Sequence, residues 1–179
     1  MRPISEAEQR ILGRLLSVEF DGVQELRAQA AHVSGAEPNC ACGCPSITPT
    51  IDRSLALPAN GPRVLPVELQ ELERQNGIER TVICFLDGDG YLANLECVFY
   101  DDAIDEWPQA AECAVLVRDS ERYLNAVHLP GGAQVSPQES GDHWVSFEIE
   151  PNGFSAATWS GWRETYSAGG DLTARVFTK

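Results

Sequence analysis

Apolar positions in the first 31 residues recur at helical spacing. Ala7, Ile11 and Leu15, with Leu12 and Leu16 beside them, form a stripe that must pack on something. Ser5-Glu6-Ala7-Glu8 precedes the stripe as a capping box: the Ser5 hydroxyl takes the Glu8 amide and the Glu8 carboxylate reaches back to the Ser5 amide. Asp21-Gly22-Val23-Gln24 repeats the capping pattern, and Val23, Leu26 and Ala30 form the inner face of a second helix. The two predict a helical hairpin of about 30 residues. From His32 onward the punctuation becomes Pro, Gly and Cys, and the period falls to two. Thr81 to Leu86 and Tyr91 to Tyr100 flank Asp87-Gly88-Asp89-Gly90, which predicts a β-hairpin. With its turn centred on Gly88 and Asp89, Cys84 faces about residue 93 and Cys97 about residue 80, so the two do not bridge.

Ser46 to Ile51 and Arg63 to Leu69 read as further strands. Pro49 and Pro66 cannot donate to a ladder, so these are expected at an edge or a bulge. Gln70 to Gln75 reads alternatively as a short helix. Tyr100 to Pro108 carries Asp101, Asp102, Asp105 and Glu106 and ends at Trp107-Pro108, which marks a boundary between residues 1–107 and 108–179, or a link within one continuous domain. Beyond it, strands are expected at Cys113 to Val117, Tyr123 to Leu129, His143 to Ile149, Phe154 to Trp159 and Leu172 to Phe177. The predicted fold is therefore α+β, an N-terminal helical hairpin on a mainly antiparallel sheet with a β-rich C-terminal part.

Charge narrows the classes of function. The 179 residues hold 27 acids and 13 bases, a formal charge of −14, with 18 acids against 8 arginines up to Gln109. Such a surface repels phosphate backbones, so nucleic acid is not expected as a partner and a basic protein is. No apolar run reaches the length of a membrane span, and the expectation is a soluble, cytoplasmic protein without a signal peptide. The sole lysine is Lys179 against 12 arginines. Schiff-base, pyridoxal phosphate and Walker A chemistry, all of which need a positioned lysine, are excluded. The arginine bias fits a GC-rich genome.

The densest chemistry is Cys40-Ala41-Cys42-Gly43-Cys44-Pro45. Three thiols in five residues admit a zinc site with His32 as a fourth ligand, a disulfide between two of the three, or a tight turn that merely accommodates small side chains. Cys84, Cys97 and Cys113 lie inside apolar strands and read as core. Asp87-x-Asp89-Gly90 starts like a calcium loop but has Tyr91 and Leu92 where an EF-hand needs its next oxygen ligand and glycine, so it reads as a turn. The acids between Asp101 and Glu106 read as a solvated linker, or a patch for a cation or a basic protein. His32, His128 and His143 form no catalytic motif, and His128 reads as partly buried structure beside Leu124 and Ala126. Alternation from His143 places Trp144 on the polar face of its strand. A bulge at Gly161 would bring Trp159 and Trp162 to one side, as core or as a platform for a sugar or a partner.

The capped first helix, Phe20, a second helix containing Arg27, Cys42-Gly43-Cys44-Pro45-Ser46-Ile47, the Asp-Gly turn, Leu95-Glu96 and Tyr100-Asp101 together resemble a family of uncharacterised actinobacterial proteins. The resemblance covers residues 5 to 107 and implies a recurring fold, with no activity to carry over. From the residues themselves, the leading expectation is a small acidic interaction module, inhibitor- or immunity-like, with no evident catalytic set. The alternative is a thiol or zinc protein built on Cys40, Cys42, Cys44 and His32.

Overall fold

The structure, a computed structural model, describes residues 1–72, 80–99 and 105–178. Helices α1 (Glu6–Leu15) and α2 (Val23–Ala31) precede β1 (Val33–Pro38), β2 (Ile47–Ile51), β3 (Val64–Glu71), β4 (Arg80–Leu86) and β5 (Leu92–Phe99). After a 3-10 turn at Ala110–Glu112 come β6 (Cys113–Arg118), β7 (Leu124–His128), β8 (Gln134–Val135), β9 (Trp144–Glu150), β10 (Gly153–Thr158), β11 (Trp162–Ser167) and β12 (Leu172–Phe177). All 12 strands join one antiparallel sheet in the order β1-β2-β5-β4-β3-β6-β7-β9-β10-β11-β12, with β8 on β7. The chain is α+β and predominantly β. β3 pairs with β6 from Val67↔Val117 to Glu71↔Cys113, so strands from either side of residues 107 and 108 share one hydrogen-bonded sheet.

The capping box forms. The Ser5 amide donates to Glu8 Oε2 at 2.7 Å and the Glu8 amide to Ser5 Oγ at 3.3 Å. Glu8 is also buried, held by two bonds from Arg2 at 2.9 and 2.5 Å, whereas Ala7, expected inside, is exposed. Ile11, Leu12 and Leu15 turn inward, each burial worth about 1.5–3 kcal/mol. Asp21 does not cap α2. Gly22 holds that position at φ +85° with no side-chain bond. On α2, Val23 and Leu26 are buried together with Gln29, which stitches the helix to two loops: its Nε2 donates to Leu57 O and Gly90 O, and its Oε1 accepts from the Leu92 amide. A Cβ at Gly90 would stand 2.3 Å from Ala59 O, so no other residue fits there.

Several strand details depart from the sequence pattern. β3 is interior, flanked by β4 and β6, but its register with β4 shifts between Val64 and Glu68, around Pro66, which has no N–H to give. β2 is likewise interior and meets β5 through Ile47↔Leu95. Gln70 and Glu71 belong to β3 and Leu72 follows as a bend, while residues 73–75 of the segment read as a helix lie outside the described residues, as do Asp101 and Asp102. In the β4–β5 hairpin Cys84 faces Leu95 and Cys97 faces Val82, two residues from expectation, because the register shifts between Phe85 and Leu86. β1, β8 and β11 carry no run that the alternation singled out.

β6 serves two cores. Cys113 and Val115 pack with Ile11, Leu15, Leu65 and Leu69 on the helical side, and Ala114 and Leu116 pack with Trp144, Phe154 and Tyr166 on the other. Arg14 ties α1 to this junction, donating to Cys113 O and His128 O at 3.1 Å each.

At the ends of β3 and β4 the Arg80 guanidinium donates twice to the fully buried Glu71, at 2.7 and 2.5 Å. Arg80→Met alone is expected to cost about 3–5 kcal/mol in urea unfolding, because it strands a buried carboxylate, whereas the pair Glu71→Leu with Arg80→Met recovers most of that loss. A second expectation concerns Glu8. Burial by itself raises its pKa, but Arg2 and Ser5 outweigh burial and hold the carboxyl below its ordinary value. The resulting stabilisation is complete above the ordinary carboxylate pKa and is lost as pH falls through the lowered one, so the melting temperature of Glu8→Gln should converge on that of the parent in acid.

Candidate functional site

The loop between β1 and β2 brings its three sulfurs together. Its neck is closed by the Asn39 amide donating to Ser46 O at 2.9 Å. Buried Ser46 accepts the Cys97 amide on its Oγ at 3.0 Å, and Asn39 Nδ2 donates to Glu96 Oε1 at 3.3 Å. Above this neck Gly43 turns the chain at φ +86°, a conformation that favours glycine, with open space where a Cβ would stand. Cys40 and Cys42 are joined in a disulfide and Cys44 is free, its Sγ 3.2 Å from Cys40 Sγ. All three sulfurs lie within 4.8 Å of one another, with Cys40 and Cys42 exposed. This is the one group of three or more metal-binding side chains that converges among the described residues, and His32 is not in it. His32 instead caps the end of α2, its carbonyl accepting the Asp52 amide.

The other three cysteines are inert by environment. Cys84, Cys97 and Cys113 are buried, and burial pushes each thiol up to about 12, so none is a thiolate near neutrality. His128 is partly buried, and burial with the Arg14 charge holds its imidazole below its usual pKa. His143 stacks on Tyr123 at 4.0 Å between ring centroids.

A second feature lies where the 3-10 turn meets the C-terminal strands. Leu72, Pro130 and Pro151 help line a groove of about 290 Å³ that Glu112 and Glu150 also line. Both glutamates are exposed, and neither forms an ion pair among the described residues. Nine arginines, by contrast, each grip at least one carboxylate: Arg2, Arg10, Arg27, Arg53, Arg80, Arg118, Arg122, Arg163 and Arg175. A further cleft of about 300 Å³ between β3, β4 and β9 contains Glu68, Gln70, Thr81 and Arg118, but these bond one another: Arg118 donates to Glu68 and Thr81 to Gln70.

The tryptophans do not assemble into a platform. Trp144 is buried, contrary to the alternation, because a bulge puts Thr158 opposite Trp144 after Ala157 faces Ser146; Val145 is thereby turned out. Trp144 Nε1 donates to Glu164 Oε2 at 3.0 Å, and Tyr166 Oη donates to the same oxygen at 2.9 Å. The Gln138 amide and Arg175 Nε occupy Glu164 Oε1, so this fully buried carboxylate has four donors. Trp162 lies beneath Arg175, 4.2 Å from guanidinium to ring centre, and Trp159 is exposed.

Ser46→Ala is expected to leave the buried Cys97 amide without its partner, lowering unfolding free energy by about 1–3 kcal/mol in urea titration. No family model matches the chain, and no curated protein or solved structure shows significant similarity to it.

Proposed function

We propose that this chain is a small acidic interaction module of the cytoplasm, inhibitor- or immunity-like, that captures a basic protein segment at the groove of Glu112 and Glu150. The observation that supports this reading is the allocation of charge. Nine of the 12 arginines are committed to carboxylates within the chain, while Glu112 and Glu150 border an apolar floor with no cation in ion-pair range among the described residues. A lysine or arginine side chain suits such a place, its methylene stem against Leu72 and Pro151 and its charged head between the glutamates. The −14 charge adds long-range attraction, which accelerates encounter with a basic partner and repels nucleic acid. No helix among the described residues is long and apolar enough to cross a membrane.

Titration with an arginine- and lysine-rich peptide tests the proposal. Binding is expected, with an on-rate that falls on the order of tenfold as salt rises from roughly 50 to 200 mM. Glu112→Gln with Glu150→Gln is expected to weaken it roughly tenfold through loss of the two contacts at the groove. An on-rate indifferent to ionic strength, or a double variant that binds as the parent does, would overturn the reading.

A further inference from the structure

The trithiol loop is not used by the interaction reading, and its arrangement points to a chemistry of its own. A disulfide lies in an exposed loop, and a third, free sulfur touches one of its two atoms. That is the starting geometry of thiol–disulfide exchange, in which a thiolate attacks one sulfur of a disulfide and expels the other. We propose that Cys40, Cys42 and Cys44 form an exchange site in which the disulfide migrates between Cys40–Cys42 and Cys40–Cys44, and which an external dithiol reduces.

Cys40 is the shared atom because Cys44 Sγ lies against it, 3.2 Å away. Cys44 gives its proton to solvent, and its thiolate attacks Cys40 Sγ. The Cys40–Cys44 bond forms as the Cys40–Cys42 bond breaks; the electron pair leaves on Cys42, which takes a proton from water. This step transfers no net electrons. In the outward step one thiolate of a dithiol attacks the Cys40–Cys42 bond to give a mixed disulfide. Its second thiolate then displaces the chain and closes the dithiol into its own disulfide. Two electrons and two protons pass to Cys40 and Cys42, and the dithiol is oxidised by the same amount.

Three features make the loop suited to this. The hydrogen-bonded neck at Asn39 and Ser46 fixes both ends, so the sulfurs stay close whichever pair is bonded. Gly43 supplies a turn that a side chain would strain. The buried thiols of Cys84, Cys97 and Cys113 stay out of the traffic, since burial keeps them protonated. Zinc would need all three loop sulfurs as thiolates plus a fourth ligand, and so competes directly with the disulfide.

The test uses the full chain purified without reductant or chelator. The native protein is trapped with N-ethylmaleimide at neutral pH, and the label is located by fragment-ion mapping of the tryptic segment 28–53, which contains all three loop cysteines. One label per chain is expected, divided between Cys42 and Cys44, with Cys84, Cys97 and Cys113 unlabelled. Cys44→Ser is expected to abolish labelling within the loop, because Cys42 is then permanently bridged, while dithiothreitol releases two alkylatable thiols in that variant. Label on Cys44 alone or on Cys40, three loop thiols labelled before any reductant is added, or stoichiometric zinc in the purified protein would each overturn the proposal.

Discussion

Glu8, Glu68, Glu71 and Glu164 are buried, and a carboxylate moved out of water without compensation is among the costliest groups a fold can hold. Each is met by at least one arginine: Arg2 on Glu8, Arg118 and Arg122 on Glu68, Arg80 on Glu71 and Arg175 on Glu164. Three of these contacts are two-pronged, with both carboxylate oxygens accepting from one guanidinium. A planar fork supplies that geometry and an ammonium does not, which gives a physical use to the arginine bias that codon composition alone would account for. The backbone bends to the same requirement. Arg122 is the one non-glycine residue with positive φ among the described residues, at +71°, and from there its guanidinium reaches both Leu65 O and Glu68. Electrostatic character follows from this internal use of cations. Arginines bound to interior or neighbouring carboxylates offer little to outside anions, so the exposed remainder of the acids sets the sign of the surface.

Helix α1, its capping box, the β4–β5 pair and most C-terminal strands were legible in the sequence because local rules govern them: cap chemistry, a 3.6 or 2.0 period, and glycine with aspartate at turns. What escaped was decided by contacts distant along the chain. Glu8 displaced Ala7 from the interior because Arg2 reaches it, and Gln29 entered the core because two loops present carbonyls to its amide. Trp144 changed faces through a one-residue bulge, which a strict alternation cannot register. β1 was hidden by its glycine and proline, and β11, Trp162 to Ser167, by its mixture of charge and aromatics, whose buried members are Glu164 and Tyr166.

The cysteine loop shows the same division. Thiol density was visible in Cys40-Ala41-Cys42-Gly43-Cys44. Which residues would hold the loop's base was not, since Asn39, Ser46 and Glu96 are unremarkable polar residues until β5 is placed beside β2. Glu112 and Glu150 were equally unmarked, lying 38 positions apart and meeting at one groove because the β-rich strands fold back toward the turn before β6.

The two-sided strand β6 has a consequence for how the molecule comes apart. Odd positions from Cys113 complete the hydrophobic interior under the helices, and even positions complete the one beneath Trp144 and Tyr166. Neither interior can lose its share of that strand without exposing the other's wall to water. Partial melting that frays this strand to spare one end is therefore disfavoured.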